Sequence, residues 1–389
     1  MKEFGLEGRS ATEEFKNMFT KFKDWFGVSQ IVMFGVQKLR NAADNLKEVN
    51  EILTEISKTS NATDKELEQI GKESYDRASK YGVKNTEYLT GVQEMNRSGF
   101  YGKQGKDMAE LSIKTIKAGN VTDEIAQKYL LATNAAYGYK GSIEKLNAVL
   151  DGQNQITNRN SVDMETMATA TEKSGSVAAN AGIKINQLSA MIGTISARTK
   201  EEGTKTGTGL KSLIVNLQNL SSDKIVGTLN KANASMTETV DGIEKLRNPI
   251  DILKDLAKTY NSLDEKDPLK SEITTNIGQK YHANQLAALL TGWEDYEKML
   301  KDYSEGMGSA EEEANKSANN ITGSLAKLEN QWNKTFYDLA NDDLIINSIG
   351  GLTGLLNVIN DITDALGGLG TVGVLGGGIL GAKNLGGCI

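Results

Sequence analysis

Phe15, Met18, Phe19, Phe22, Trp25 and Phe26 recur at three- and four-residue steps, a spacing that predicts an amphipathic helix within residues 1–28. This is the densest aromatic cluster in the chain. It serves either as a face packed on a neighbouring helix or as a docking face for another protein. A heptad follows, in which Val32, Gly35, Leu39, Ala42, Leu46, Val49, Leu53 and Ile56 alternate steps of three and four. A seam of that period stays on one side of a helix when the helix supercoils around a partner. Leu39, Leu46, Val49, Leu53 and Ile56 are therefore a candidate oligomer seam. The alternative is an amphipathic helix packed within a monomeric bundle.

From residue 60 to about 200, short amphipathic segments alternate with glycine-containing turns. One local pattern recurs, at Gly82-Val83-Lys84-Asn85-Thr86-Glu87, at Gly119-Asn120-Val121-Thr122-Asp123-Glu124 and at Gly182-Ile183-Lys184-Ile185-Asn186-Gln187. In each, a glycine free to adopt the left-handed conformation closes one helix, and an apolar residue and an Asn or Thr follow before the next helix begins. Thr63 with Glu66 has the spacing of a capping box. The spacing of these turns is irregular, which argues against a regular solenoid. Residues 200–245, rich in Gly, Thr, Lys, Ser and Asn around one apolar helix (Leu210 to Leu220), read as a flexible joint. Helices resume after Pro249, and a long segment from Ser309 carries Ile321, Leu325, Leu328, Trp332 and Leu339 on one face.

The C-terminal end has a different pattern. Residues 344–360 and 365–382 carry no charged side chain, and only Asp361 and Asp364 lie between them. A membrane-spanning helix needs roughly 20 predominantly apolar residues, slightly more than the second block provides. Gly373, Gly377 and Gly381 sit four apart, the spacing that lets membrane helices approach closely. The block is read either as membrane-contacting or as buried within an assembly.

These patterns predict an all-α fold: an irregular array of helical hairpins flanked by long amphipathic and coiled-coil helices, with a Gly-rich apolar C-terminal segment. The expected divisions are 1–60 (amphipathic and heptad helices), 61–200 (helical-hairpin core), 201–245 (flexible Gly/Thr/Lys-rich joint), 246–343 (second helical block) and 344–389 (apolar membrane segment). Composition supports this. Two prolines, Pro249 and Pro268, in 389 residues suit long helices, because proline lacks the amide proton a helix interior needs. Aromatic residues make up only 6% of the chain, so each helix buries modest area. The net charge of −7 lacks the basic excess of a dedicated nucleic-acid surface. One cysteine, Cys388, allows no internal disulfide. Acidic residues stand at the N-terminus where an export signal needs a basic start.

The sequence holds no catalytic constellation. Gly368-Leu369-Gly370-Thr371-Val372-Gly373 formally matches a dinucleotide fingerprint but follows a helical stretch, with too little chain after it for a βαβ unit. Gly207-Thr208-Gly209-Leu210-Lys211-Ser212 misses a phosphate loop, since Leu210 separates glycine from lysine. One histidine, His282, and one cysteine make no usual zinc site. Glu73-Ser74 resembles the catalytic glutamate of lytic transglycosylases, but the Gly-rich, Gln-containing segment that should follow is absent. The expectation is a non-enzymatic chain with no catalytic, metal or cofactor-binding residues and no specific nucleic-acid binding.

The order of landmarks over about residues 60–340 resembles the conserved core of phage tail tape-measure proteins. The segments that carry the resemblance are Ala78-Ser79-Lys80-Tyr81-Gly82, Arg97-Ser98-Gly99, Asp151-Gly152-Gln153-Asn154, Ala181-Gly182-Ile183 through Arg198, Leu210-Lys211-Ser212-Leu213, Asp251 to Ala257, Gly278 to Asn284, and Gly308-Ser309-Ala310 through Glu313. Members are typically longer, with further helical chain and sometimes a peptidoglycan-cleaving domain after the core. The resemblance implies a scaffold, in phage or prophage, that sets tail length during tail-tube assembly. It implies tail-tube subunits and tail assembly chaperones as partners, homo-oligomerisation, and a place in the virion tail lumen after assembly in the host cytoplasm. It also implies assistance to DNA passage at the host membrane. A helical membrane-perforating protein is the alternative, motivated by the uncharged C-terminus.

Overall fold

A computed structural model describes residues 28–339, and side chains from the middle of the first helix onward. Among these residues there are sixteen helices and one two-stranded sheet, so the fold is all-α. The helix predicted within 1–28, except for its last residue, and the apolar block 344–389 with Gly373, Gly377 and Gly381 lie outside the described residues; the seam residue Leu39 lies on the first helix, in the part whose side chains are not described. No helix among the described residues is long and apolar enough to cross a membrane.

The chain divides into two compact units. The first holds α1 (Val28–Thr59), most of α2 (Asp64–Tyr81), α3 (Asn85–Arg97) and, from Leu325 on, α16 (Ile321–Leu339). The seam residues Leu46, Val49, Leu53 and Ile56 are buried here, within the same chain, and α1 packs on α3, which contributes Leu89, Val92 and Met95. The Thr63–Glu66 capping box forms: the Glu66 carboxylate accepts from the Thr63 amide at 2.8 Å, and the Thr63 hydroxyl accepts from the Glu66 amide at 3.4 Å. A ladder of polar side chains ties the helices together. Tyr75 donates to Asn45, Asn45 donates to Asn85, the Asn85 amide donates to Asn330, and Asn330 donates to Ser79. Tyr75 and Tyr337 meet edge to face at 5.5 Å. Sequence alone placed 321–339 with a second helical block; these contacts place most of it with α1–α3.

The second unit comprises residues 81–83 and 98–324. It contains α4 (Gly102–Gly119), α5 (Asp123–Ala136), α6 (Ile143–Arg159), α7 (Met164–Asn180), α8 (Ile185–Thr199), α9 (Gly203–Asn216) and α10 (Asp223–Lys231). A hairpin of β1 (Thr237–Val240) and β2 (Ile243–Leu246) follows. The unit continues through α11 (Pro249–Ser262), α12 (Pro268–Ile277), α13 (Gln279–Thr291), α14 (Trp293–Ser304) and α15 (Ser309–Ala318). α8, with ten buried residues, lies at the centre and packs on α6, α7, α9, α13 and α14.

At two of the three recurrent turns the glycine ends the helix as the sequence predicts, although after Gly182 the next helix starts at Ile185, which leaves Asn186 inside it and not at its cap. Gly82 and Gly182 are left-handed, with φ of 62° and 77°, and the Ile183 amide returns to the Ala178 carbonyl at 2.9 Å, closing α7 with a Schellman-type bond. At the third turn the left-handed residue is Asn120, with φ of 50°, not Gly119. Asn tolerates that region, and Gly119 serves packing instead, because a Cβ there would press on Met164. Thr122 then caps α5 by accepting from the Ile125 amide.

The stretch 201–245, expected to be a flexible joint, is ordered structure. Gly203 and Gly207 lie on the α9 face that meets α7, where a Cβ would come within 2.5 Å of the Thr166 carbonyl and 2.7 Å of the Ala170 carbonyl. Their glycines permit close helix approach rather than loose chain. The following hairpin turns through Asp241-Gly242, both with positive φ. This is the pairing that matches the twist of two antiparallel strands.

Candidate functional site

A set of buried polar side chains that joins distant segments of the second unit is built on α6. Ser142 caps this helix, and its middle turn carries the Asp151-Gly152-Gln153-Asn154 motif. Asp151 is only 3% exposed. Its carboxylate accepts from the Gly308 amide at 3.0 Å, the Ala310 amide at 3.1 Å and the Asn147 side chain at 3.0 Å. Gly308 and Ala310 open α15, where the first amides of a helix have no partner of their own and the helix dipole favours a negative charge. Asp151 is thus a cap supplied from 157 residues away.

Asn154 strengthens the same junction by donating to the Ser309 hydroxyl at 2.6 Å. Lys114 on α4, with its side chain 7% exposed, reaches Asn147 at 2.7 Å and Glu311 at 2.8 Å. Two glycines allow this approach. A Cβ on Gly306 would lie 2.5 Å from the Asp151 carbonyl, and one on Gly152 would lie 2.6 Å from the Tyr303 ring. Gln153 points elsewhere, donating to Ser189 on α8 and Thr171 on α7 at 2.8 and 3.2 Å. At the end of α6, Arg159 pairs with Asp302 and Glu305 on α14 and its neighbouring turn, and these carboxylates hold the guanidinium above its ordinary pKa. Burial raises the pKa of the surrounding phenols Tyr129 and Tyr303.

The chemistry of this cluster is that of a latch. The Asp151 carboxylate is occupied by three donors and Lys114 is paired, so the buried ionic groups bind the protein's own helices. Among the described residues no group of three or more His, Cys, Asp or Glu is placed to hold a metal ion.

The remaining candidates from sequence fall apart spatially. Glu73 accepts from Gln69 at 2.7 Å and pairs with Arg77, while Ser74 donates to the Gly71 carbonyl. Gly207 to Ser212 lies inside α9, not in a loop. His282 sits on α13 beside Gly209. Cys388 and the glycines from 368 to 373 lie outside the described residues. Lys114, Asn147, Arg159 and Asp302 carry no sequence signal for the latch, because they are ordinary polar residues until the fold brings four separated segments together. Asp151, Asn154 and Gly308-Ser309-Ala310 were visible only as separate motifs.

The fold and the latch define an all-α array whose buried polar groups hold distant helices in register. A model of the family described as phage-related minor tail protein matches residues 72–277, just over half of the chain. The chain belongs to that family and is a phage tail protein, with the virion tail as its expected place. The matched stretch runs from within α2 to the end of α12 and includes Asp151, whereas the α15 cap it supplies lies beyond it. No solved structure matches the chain.

Proposed function

We propose that this phage tail protein is a tape-measure scaffold: a non-catalytic chain along which tail-tube subunits polymerise and whose length sets tail length. In this reading it is homo-oligomeric and is loaded in the host cytoplasm with tail assembly chaperones. It is held in the tail lumen and leaves ahead of the DNA, assisting passage at the host membrane. The observation that carries the reading is the use made of Asp151, Gln153, Asn154 and Lys114 within a phage tail family region. Each is spent on joining helices of the chain itself, which suits a scaffold. The longest helix of the second unit has 18 residues, roughly 27 Å at 1.5 Å per residue. That unit is accordingly the folded module of the scaffold, and extended helical segments do the measuring.

The test is a series of in-frame deletions in helical segments, carried in a phage that depends on this gene, with tails measured by electron microscopy. The expected result is shortening in proportion to the residues removed, by about 1.5 Å each where the segment is helical. Tails of unchanged length would remove the ruler role while leaving the protein a tail component.

A further inference from the structure

Helices α12 and α13 are joined without a linker. α12 ends at Ile277, α13 begins at Gln279, and Gly278 between them has helical dihedrals, φ −74° and ψ −18°. Gln279, with φ of 55°, is what separates this corner from one continuous helix. The left-handed region is costly for a residue with a Cβ. Here it falls to an exposed glutamine, while the adjacent glycine stays in the ordinary helical region. Gly278 answers to space instead: a Cβ on it would lie 2.7 Å from the Thr274 carbonyl and 2.8 Å from the Ala283 backbone.

The corner is held from outside. Buried Asn216, at the end of α9, donates to the Ile277 carbonyl at 2.8 Å and accepts from the Gln279 side chain at 3.4 Å. α12 itself buries Ile273 and Ile277. Asn276 donates to Thr228 at 2.8 Å, Glu272 pairs with Lys231, and residues 264–266 ahead of the helix are exposed. An element with few buried apolar side chains opens at low free energy. We propose that α12 is a lever on a strained hinge. It swings out of the corner and joins α13 in one straight helix over residues 268–291, about 36 Å long. In the straight form the Ile277 carbonyl takes the Tyr281 amide in place of Asn216, and Gln279 leaves the left-handed region. Ile273 and Ile277 lose their cover, which keeps the corner the main state.

Double electron–electron resonance on the full chain tests this, with Cys388→Ser and spin labels at Ser271→Cys and Thr291→Cys, both exposed positions. The straight helix puts them about 30 Å apart, and the corner brings them closer. Gly278→Ala presses on Ala283 in the corner and favours continuous helix, so the long-distance population should grow about tenfold. Distances unmoved by Gly278→Ala overturn the proposal. So does a broad distribution with loss of helicity by circular dichroism, because α12 would then melt rather than swing. A second arm places Ile273→Cys, at a site 0% exposed, in the Cys388→Ser chain and follows labelling by a thiol reagent. Gln279→Gly relieves the strained residue and weakens the straight helix, so labelling should slow about tenfold. An unchanged or faster rate overturns the proposal, whether or not Gly278→Ala folds.

Discussion

The α1–α3 and α7–α9 contacts bury helix faces in opposite ways. In the first, Leu46, Val49, Leu53 and Ile56 fill the space against α3 with large side chains. In the second, Gly203 and Gly207 bring the α9 backbone onto the Thr166 and Ala170 carbonyls, with almost no side chain between. The first gains stability from apolar area removed from water. The second relies on close van der Waals approach of two backbones, supported by the short chains of Ala168, Ala170 and Thr206. A helix face can thus be buried with very little hydrophobicity, and among the described residues glycine marks close contacts as well as turns.

The contrast can be broken from either side. In α1 the damaging change removes volume: Leu53→Ala, at a site 3% exposed, should cost about 3 kcal/mol in the denaturant unfolding of the first unit. In α9 the damaging change adds volume. Gly207→Leu should cost up to about 3 kcal/mol, and Gly207→Ala should also destabilise. Its gain of about 1 kcal/mol in helix propensity is outweighed because the obstacle is backbone at 2.7 Å. A stabilised Gly207→Ala protein would refute the close-approach account.

Between these extremes stands the latch, which is neither large nor apolar. Asp151→Ala strands the Gly308 and Ala310 amides and the Asn147 side chain, and should cost about 2 kcal/mol. Hydrogen exchange at Gly308 and Ala310 should speed up more than at the centre of α8. Thr122→Ala removes only a local cap and should cost about 1 kcal/mol by thermal unfolding.

The smallest expected effect is on pH. The Glu66 pKa is lowered from the ordinary 4.5, first by the hydrogen bond from the Thr63 amide and then by the Thr63 hydroxyl. Its folded value lies below its unfolded one, so its contribution is full above that range and is lost as pH falls through the lowered midpoint. A carboxyl titration followed by NMR should find the Glu66 midpoint below 4.5; a midpoint at or above it would contradict the capping geometry.

Legibility in the sequence tracked the range of the interaction. The Thr63–Glu66 box, the glycines of the Gly82 and Gly182 turns and the resumption of helix at Pro249 depend on residues a few positions apart, and they could be read directly. The Asp241-Gly242 hairpin was equally local and was overlooked because the surrounding Gly and Thr content suggested a loose joint. Gly203 and Gly207 were misread for a different reason: glycine spacing does not reveal whether another backbone lies opposite. The candidate site was half legible, since Asp151, Asn154 and Gly308-Ser309-Ala310 were visible as motifs while their joint purpose was not.

By itself the chain determined its helical character, several helix ends and the apolar period of α1, because propensity, capping and periodicity act over a few residues. Tertiary structure alone decided that Leu46, Val49, Leu53 and Ile56 are buried against neighbouring helices, that Asp151 caps a helix 157 residues downstream, and that Gly207 goes in. Those outcomes depend on which surfaces meet, and a carboxylate or a missing Cβ acquires its energetic meaning only from the group placed against it.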